Sequence, residues 1–150
     1  MENTYLAHHG VKGMKWGVRK DPEKAYARRA KKLNRKALRQ QAKIKQWQYD
    51  RDKSASAANY WQAKREMKDT HYRQFKQKQS QRHADKRAAW IEKGAAKTNA
   101  ILDQAENEGY EVYAKKHEFT ITTGAAYVNG MSYVSYKRLI APSAQIRVRQ

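Results

Sequence analysis

The sequence predicts an α+β fold: a long basic helix or helical hairpin, then a short helix and a small antiparallel β-sheet. Two observations carry this reading. Residues 21–93 contain no glycine and a single proline, Pro22, and are rich in Ala, Lys, Arg and Gln, all favourable helix residues. Farther on, Asn129-Gly130 separates two β-like runs, residues 125–128 and 131–136, the strongest short hairpin signal available.

Each element has its own justification. Asp21 suits an N-cap, Pro22 the first helical position and Glu23 the positive end of the helix dipole. One continuous helix over residues 22–93 would be about 108 Å long, so a bend is the alternative. The weakest stretch for it is Ser54-Ala55-Ser56-Ala57-Ala58-Asn59, small and polar throughout. Whether this zone is one rod or a hairpin stays open.

Its apolar residues recur every 14 positions in pairs three apart: Ala30 with Leu33, Ile44 with Trp47, Ala58 with Trp61, Tyr72 with Phe75. Fourteen is two heptads, but Arg51, Ser54, Arg65 and Lys68 occupy the intervening seam positions. That many charges rule out a continuous coiled-coil seam and leave a broken aromatic stripe.

A second helix is expected after Gly94, with Ile101, Leu102 and Ala105 on one side, ending at Gly109 in the left-handed C′ position. Beyond it, Phe119 and Ile121 alternate with Thr120 and Thr122, and Ile146 and Val148 with Arg147 and Arg149. Three or four strands follow from this pattern. So few large aliphatics require a helix or a partner to cover one face. The chain thus divides into a glycine-rich segment (residues 1–20), a basic helical region (21–93) and a short-helix plus hairpin region (94–150).

Charge narrows the function. The 150-residue chain carries a formal net charge of +19, which opposes compaction and favours polyanions: DNA, RNA, an acidic protein surface or an anionic membrane. Residues 21–93 hold 22 bases and eight acids, so the charge sits on the helical zone. With no cysteine, disulfides and thiolate zinc sites are excluded. No apolar run of about 18 residues exists to span a membrane, and no apolar N-terminal stretch suggests a secretory signal.

Residues 24–49 contain ten bases and no acid: Lys24, Arg28, Arg29, Lys31, Lys32, Arg35, Lys36, Arg39, Lys43 and Lys45. On a helix these would wrap most of the surface and neutralise phosphates without reading sequence. Trp47 and Trp61, with Tyr49 and Tyr60, are candidates to stack on unpaired bases. The competing reading is a solvated helix whose aromatics pack internally. No Ser-His-Asp, paired-carboxylate or phosphate-loop spacing stands out, so a binding protein rather than an enzyme is expected, with no cofactor. His8-His9 lack the carboxylate or cysteine partners of a good metal site, and His71 and His83 diverge around a helix.

The opening segment is the most distinctive. His8-His9-Gly10-Val11-Lys12-Gly13-Met14-Lys15-Trp16-Gly17-Val18-Arg19-Lys20 resembles a motif of uncharacterised phage and prophage proteins of Gram-positive bacteria, some of them virion-associated. The resemblance implies a phage origin, possible attachment to a particle, and a place in the virion or the host bacterial cytoplasm. It covers under a tenth of the chain and implies no mechanism. Physically, its glycines let backbone lie close to a surface, and Val11, Met14, Trp16 and Val18 are candidate anchors for a partner's pocket.

The expected function is a phage-encoded, non-enzymatic basic binding protein, virion-associated or nucleic-acid-binding, structural or accessory. Its partners would be DNA or RNA, an acidic protein surface or capsid components. Two alternatives stay open. One is an inhibitor of host defence, anti-CRISPR-like, that seizes a guide RNA or a nuclease. The other is a membrane-surface protein acting through the basic, Trp-containing helix.

Overall fold

The computed structural model describes residues 21–149. Two helices, α1 (Pro22–Met67) and α2 (His71–Asn107), precede two strands, β1 (Tyr110–Val128) and β2 (Met131–Val148). The helices form an antiparallel hairpin, and the strands form one long ribbon laid against it. The architecture is α+β.

Helix α1 starts as its sequence dictates. The Asp21 carboxylate accepts from the Glu23 N–H at 3.1 Å, and Pro22 opens the first turn. At 46 residues it is about 69 Å long. The weakest stretch in sequence, residues 54–59, stays helical: Ala is the best helix former, Ala58 is buried, and the Ser56 hydroxyl finds its partner inside the helix, donating to the Asp52 carbonyl at 2.8 Å. The break falls instead at Lys68, Asp69 and Thr70. Thr70 caps α2 by accepting from the Arg73 N–H, and the Arg73 guanidinium donates to the Lys64 and Lys68 carbonyls at 2.6 Å each. One side chain thereby closes the end of α1, adding to the Lys68 N–H bond on the Lys64 carbonyl and answering the Lys68 carbonyl beyond the last turn.

Gly94 does not separate two helices, as expected from sequence. It lies inside α2, buried. A Cβ there would stand 2.8 Å from a ring carbon of Trp47 and 2.9 Å from Ile44. The glycine is a notch into which α1 packs its Trp. The 14-residue repeat likewise crosses the helix break: Ile44, Trp47 and Ala58 lie on α1, whereas Tyr72 and Phe75 lie on α2.

At the far end of α2, Glu108 and Gly109 turn the chain into β1. Gly109 has φ +85°, and a Cβ there would stand 3.0 Å from the Tyr26 hydroxyl oxygen, so both conformation and space favour glycine. The Tyr26 and Tyr110 rings stack at 4.3 Å. Tyr26 donates to the Glu108 carbonyl and Tyr110 donates to the Tyr26 carbonyl, each at 3.1 Å. Burial pushes the Tyr110 phenol pKa upward. Arg29 grips Glu108 through two hydrogen bonds of 2.8 and 2.6 Å. Around this junction lies the core: Ala30, Leu33, Ala37, Ala105, Tyr110 and Ile146.

The sheet has two strands, not three or four. Nothing between Tyr110 and Val128 forces a turn. Gly124 marks only a bulge, where the pairing shifts between Thr122 and Gly124. The strand expected at residues 146–148 is the end of the continuous β2. Asn129 (φ 49°) and Gly130 (φ 79°) make the turn, both with positive φ as a two-residue hairpin of this kind needs.

A two-stranded ribbon has two open edges, and α1 closes parts of both with side-chain amides. Gln41 donates to the Ala144 carbonyl (2.8 Å) and accepts from its N–H (3.0 Å). Gln46 does the same to Thr122, at 2.9 and 2.6 Å. Asn34 accepts from the Ile146 N–H at 3.1 Å. Pro142, two residues from Ala144, shares its outward phase, so its missing N–H costs no ladder bond.

Candidate nucleic-acid interface

The core lies on one side of α1 and the charge on the other. At 100° per residue, Lys24, Arg28, Lys31, Lys32, Arg35, Lys36, Arg39 and Lys43 fall within an arc of about 140°, and all eight are exposed. Ala30, Leu33 and Ala37, buried, occupy the opposite side. The cations therefore do not wrap most of the helix, as the sequence alone suggested. They form one face, because every other side of α1 is taken by α2 or the ribbon.

Two of the ten expected cations stand apart. Arg29 is half-buried and bound to Glu108. This bidentate contact holds the Glu108 carboxyl below its ordinary range and raises the Arg29 pKa. Lys45 is half-buried on the ribbon side. Lys24 keeps its place on the face but pairs with Asp21 at 3.3 Å. Among the described residues, Arg28, Lys31, Lys32, Arg35, Lys36, Arg39 and Lys43 have no acidic group within 4.0 Å. Seven like charges thus stand on one face with no acidic partner among the described residues, an arrangement whose positive potential is concentrated on one side of the helix.

Along the border of this face runs a shallow groove between α1 and the ribbon. Lys31, Arg35 and Arg39 line one wall with Asn34, Leu38 and Ala42, and His117 of β1 lines the other. The side chains at 31, 35 and 39 are one turn apart, so their heads follow the helix axis.

The two tryptophans are not part of this face. Trp47 is half-buried in the helix–helix seam, 5.8 Å from Trp90 and against Gly94. Trp61 lies about 39 Å along α1 from Arg35, in a cluster with Tyr60 and Tyr72 at 5.3 and 5.8 Å. Sequence reading also passed over α2, where Lys78, Arg82, His83 and Lys86 line a second shallow groove with Phe75. Their spacing of three to four was the available signal. The proposed docking residues Val11, Met14, Trp16 and Val18, and the paired His8-His9, lie outside the described residues.

No helix among the described residues is long and apolar enough to cross a membrane. A family model described as a family of unknown function, DUF7211, matches residues 2–23. No curated protein and no solved structure matches the chain. The matched segment contains the glycine-rich motif and ends two residues into α1, so the similarity is to the opening segment and leaves the helical hairpin and the ribbon outside it.

Proposed function

We propose that this is a non-catalytic polyanion-binding protein that holds a nucleic-acid backbone along the exposed face of α1. The observation that carries the reading is the set of seven cations, Arg28 to Lys43, on one rigid face without acidic partners among the described residues. A helix in solution does not need seven unpaired charges for solubility, and placing them side by side is destabilising until an anion neutralises them. The contacts would be to phosphates, so binding is sequence-tolerant and driven by counterion release.

The opening motif supports a phage accessory or virion-associated role, in the virion or the host cytoplasm. In this reading residues 8–20 attach the protein to a particle or partner while α1 holds the polymer. A host-defence inhibitor that captures guide RNA would use the same face. Membrane-surface binding gains nothing from the fold, since the apolar side of α1, which a lipid surface would have to receive, is packed on α2 and the ribbon.

Salt titration tests the proposal. Engagement of about six phosphates gives a log–log slope near −5 on duplex DNA. Reversing Lys31, Lys32, Arg35 and Lys36 to Glu weakens binding at least about a hundredfold at low salt, with the helical circular dichroism unchanged. No binding at about 50 mM salt, or an affinity indifferent to the reversal, overturns it. Comparing purified particles with infected-cell lysate separates the roles: a virion component is stoichiometric in particles and an inhibitor is not.

A further inference from the structure

The ribbon changes character at the Gly124 bulge. Below it, the outward backbone groups that are capped meet Asn34, Gln41 and Gln46, Pro142 interrupts β2, and Lys115, Lys116 and Glu118 put charge along β1. Charges and prolines of this sort keep a sheet edge from pairing with another chain. Above it they stop. Residues 124–136 carry no charge and no proline, the upper part of an uncharged run that begins at Phe119, in a chain of which 31% is charged. Tyr127, Val128, Met131, Tyr133, Val134 and Tyr136 are all exposed there. Neither face of this arm carries a charge and large exposed side chains stand on both, and a bare two-stranded hairpin is marginal in water.

We propose that the arm pairs with the arm of a second copy, β2 against β2, in an antiparallel four-stranded sheet with a two-fold axis at Val134. The outward phase of β2 is set by Ala144 and Ile146, whose N–H groups reach Gln41 and Asn34. Val134 has the same parity, so its N–H and carbonyl point away from β1. Pairing Val134 with Val134 of the second copy lets them exchange both hydrogen bonds. That register places Tyr133 beside Ser135 of the second copy and Tyr136 beside Ser132 of the second copy. Each large ring meets a small neighbour, a self-complementarity written in Ser132-Tyr133-Val134-Ser135-Tyr136.

Charge favours this occupant. Two chains of net charge +19 repel wherever their bodies meet, and this is the longest uncharged run in the sequence. In the proposed register the nearest charge, Lys137, lies opposite Met131 of the second copy. It stands six residues, about 20 Å, from its counterpart, roughly two Debye lengths at physiological salt. A lipid surface is the poorer host, because the arm would carry open strand edges into hydrocarbon.

The test uses the full chain, treated with nuclease so that no polymer bridges two copies, in sedimentation equilibrium. A concentration-dependent dimer is expected. Val134→Lys, which sets two like charges face to face at an exposed position, abolishes it while the helical circular dichroism stays unchanged. A positive measurement stands beside the loss. The chain has no cysteine, and a hydrogen-bonded pair has a Cα spacing of about 5.5 Å, within disulfide range. Val134→Cys should therefore cross-link on oxidation, whereas Tyr127→Cys, exposed but on the other strand, should not. A monomer at every concentration up to about 100 µM, a dimer that survives Val134→Lys, or equal cross-linking at both positions overturns the proposal. Dissociation on nuclease treatment overturns it too, and leaves the nucleic-acid reading standing.

Discussion

The two ends of the β-ribbon share one backbone geometry and are treated in opposite ways. At the base, Tyr110 is buried under Tyr26, Ile146 joins the core, and helix side chains meet the outward amides of Thr122, Ala144 and Ile146. Toward the tip, Tyr127 is 75% exposed and Tyr136 64%, and among the described residues no helix side chain hydrogen-bonds the strand edges beyond Thr123, whose carbonyl accepts from Lys53 at 3.1 Å. A β-strand is therefore not protected by being a strand. Its stability depends on what covers its faces and answers its edges, and here α1 supplies both for the base alone.

The largest expected effect tests that contrast. Leu33 is fully buried, and Leu33→Ala should lower the unfolding free energy by about 3 kcal/mol. Tyr127→Ala, in the arm, should change it by less than about 0.5 kcal/mol. Urea denaturation of both variants checks this, and equal losses would mean that the arm is packed as firmly as the base.

The helix–helix seam gives the next effect. Gly94→Val forces atoms into space held by Trp47 and Ile44 and should cost about 2–3 kcal/mol. Gly94→Ala should cost less, because the gain in helix propensity of about 1 kcal/mol offsets part of the clash. The difference between the two melting curves measures how tightly the notch fits.

Removing one edge cap is a smaller change. Gln46→Ala leaves the Thr122 N–H and carbonyl without their helix partner and should cost about 1 kcal/mol. Hydrogen exchange sharpens the comparison: the Thr122 amide should be protected in the parent and fast in the variant, while the Ala144 amide, held by Gln41, stays slow.

The smallest effect is a pH dependence. The Glu108 carboxyl is lowered in the folded chain by Arg29, so the folded state binds this proton less readily than the unfolded chain. Its contribution is present above the ordinary glutamate range and is lost as pH falls through the depressed folded value. Glu108→Gln should flatten that part of the stability profile, with little change at neutral pH beyond the lost pairing at a solvent-accessible site.

Local signals in the sequence match the structure closely, and tertiary ones do not. Asp21-Pro22, Gly109 and Asn129-Gly130 each fix a boundary through their own backbone preferences, and each sits where expected. Gly94 read as a boundary by the same logic, but its role is to admit the Trp47 ring from another helix, which no local pattern encodes. The Ser54–Asn59 stretch looked weak because small polar residues often mark turns. Once packed through Ala58, it had no reason to break. The cation spacing was fully legible. Its confinement to one arc was not, since that depends on which sides of α1 the rest of the chain covers. Gln41 and Gln46 carried no signal at all, because an amide that completes a strand edge looks in sequence like any solvated glutamine.

Those amides separate two responses to ionic strength. The amide contacts of Asn34, Gln41 and Gln46 with the ribbon are dipole to dipole between neutral groups, for which counterions in solution do not compete. Lys53, whose ammonium donates to the Thr123 carbonyl at 3.1 Å, is the charged exception among the described hydrogen bonds. The exposed arc of α1 from Arg28 to Lys43 is strongly cationic, and an anion bound there would be displaced by salt. If the proposed anion binds there, raising the salt concentration should release it while leaving the amide contacts in place, so that release would not require unfolding.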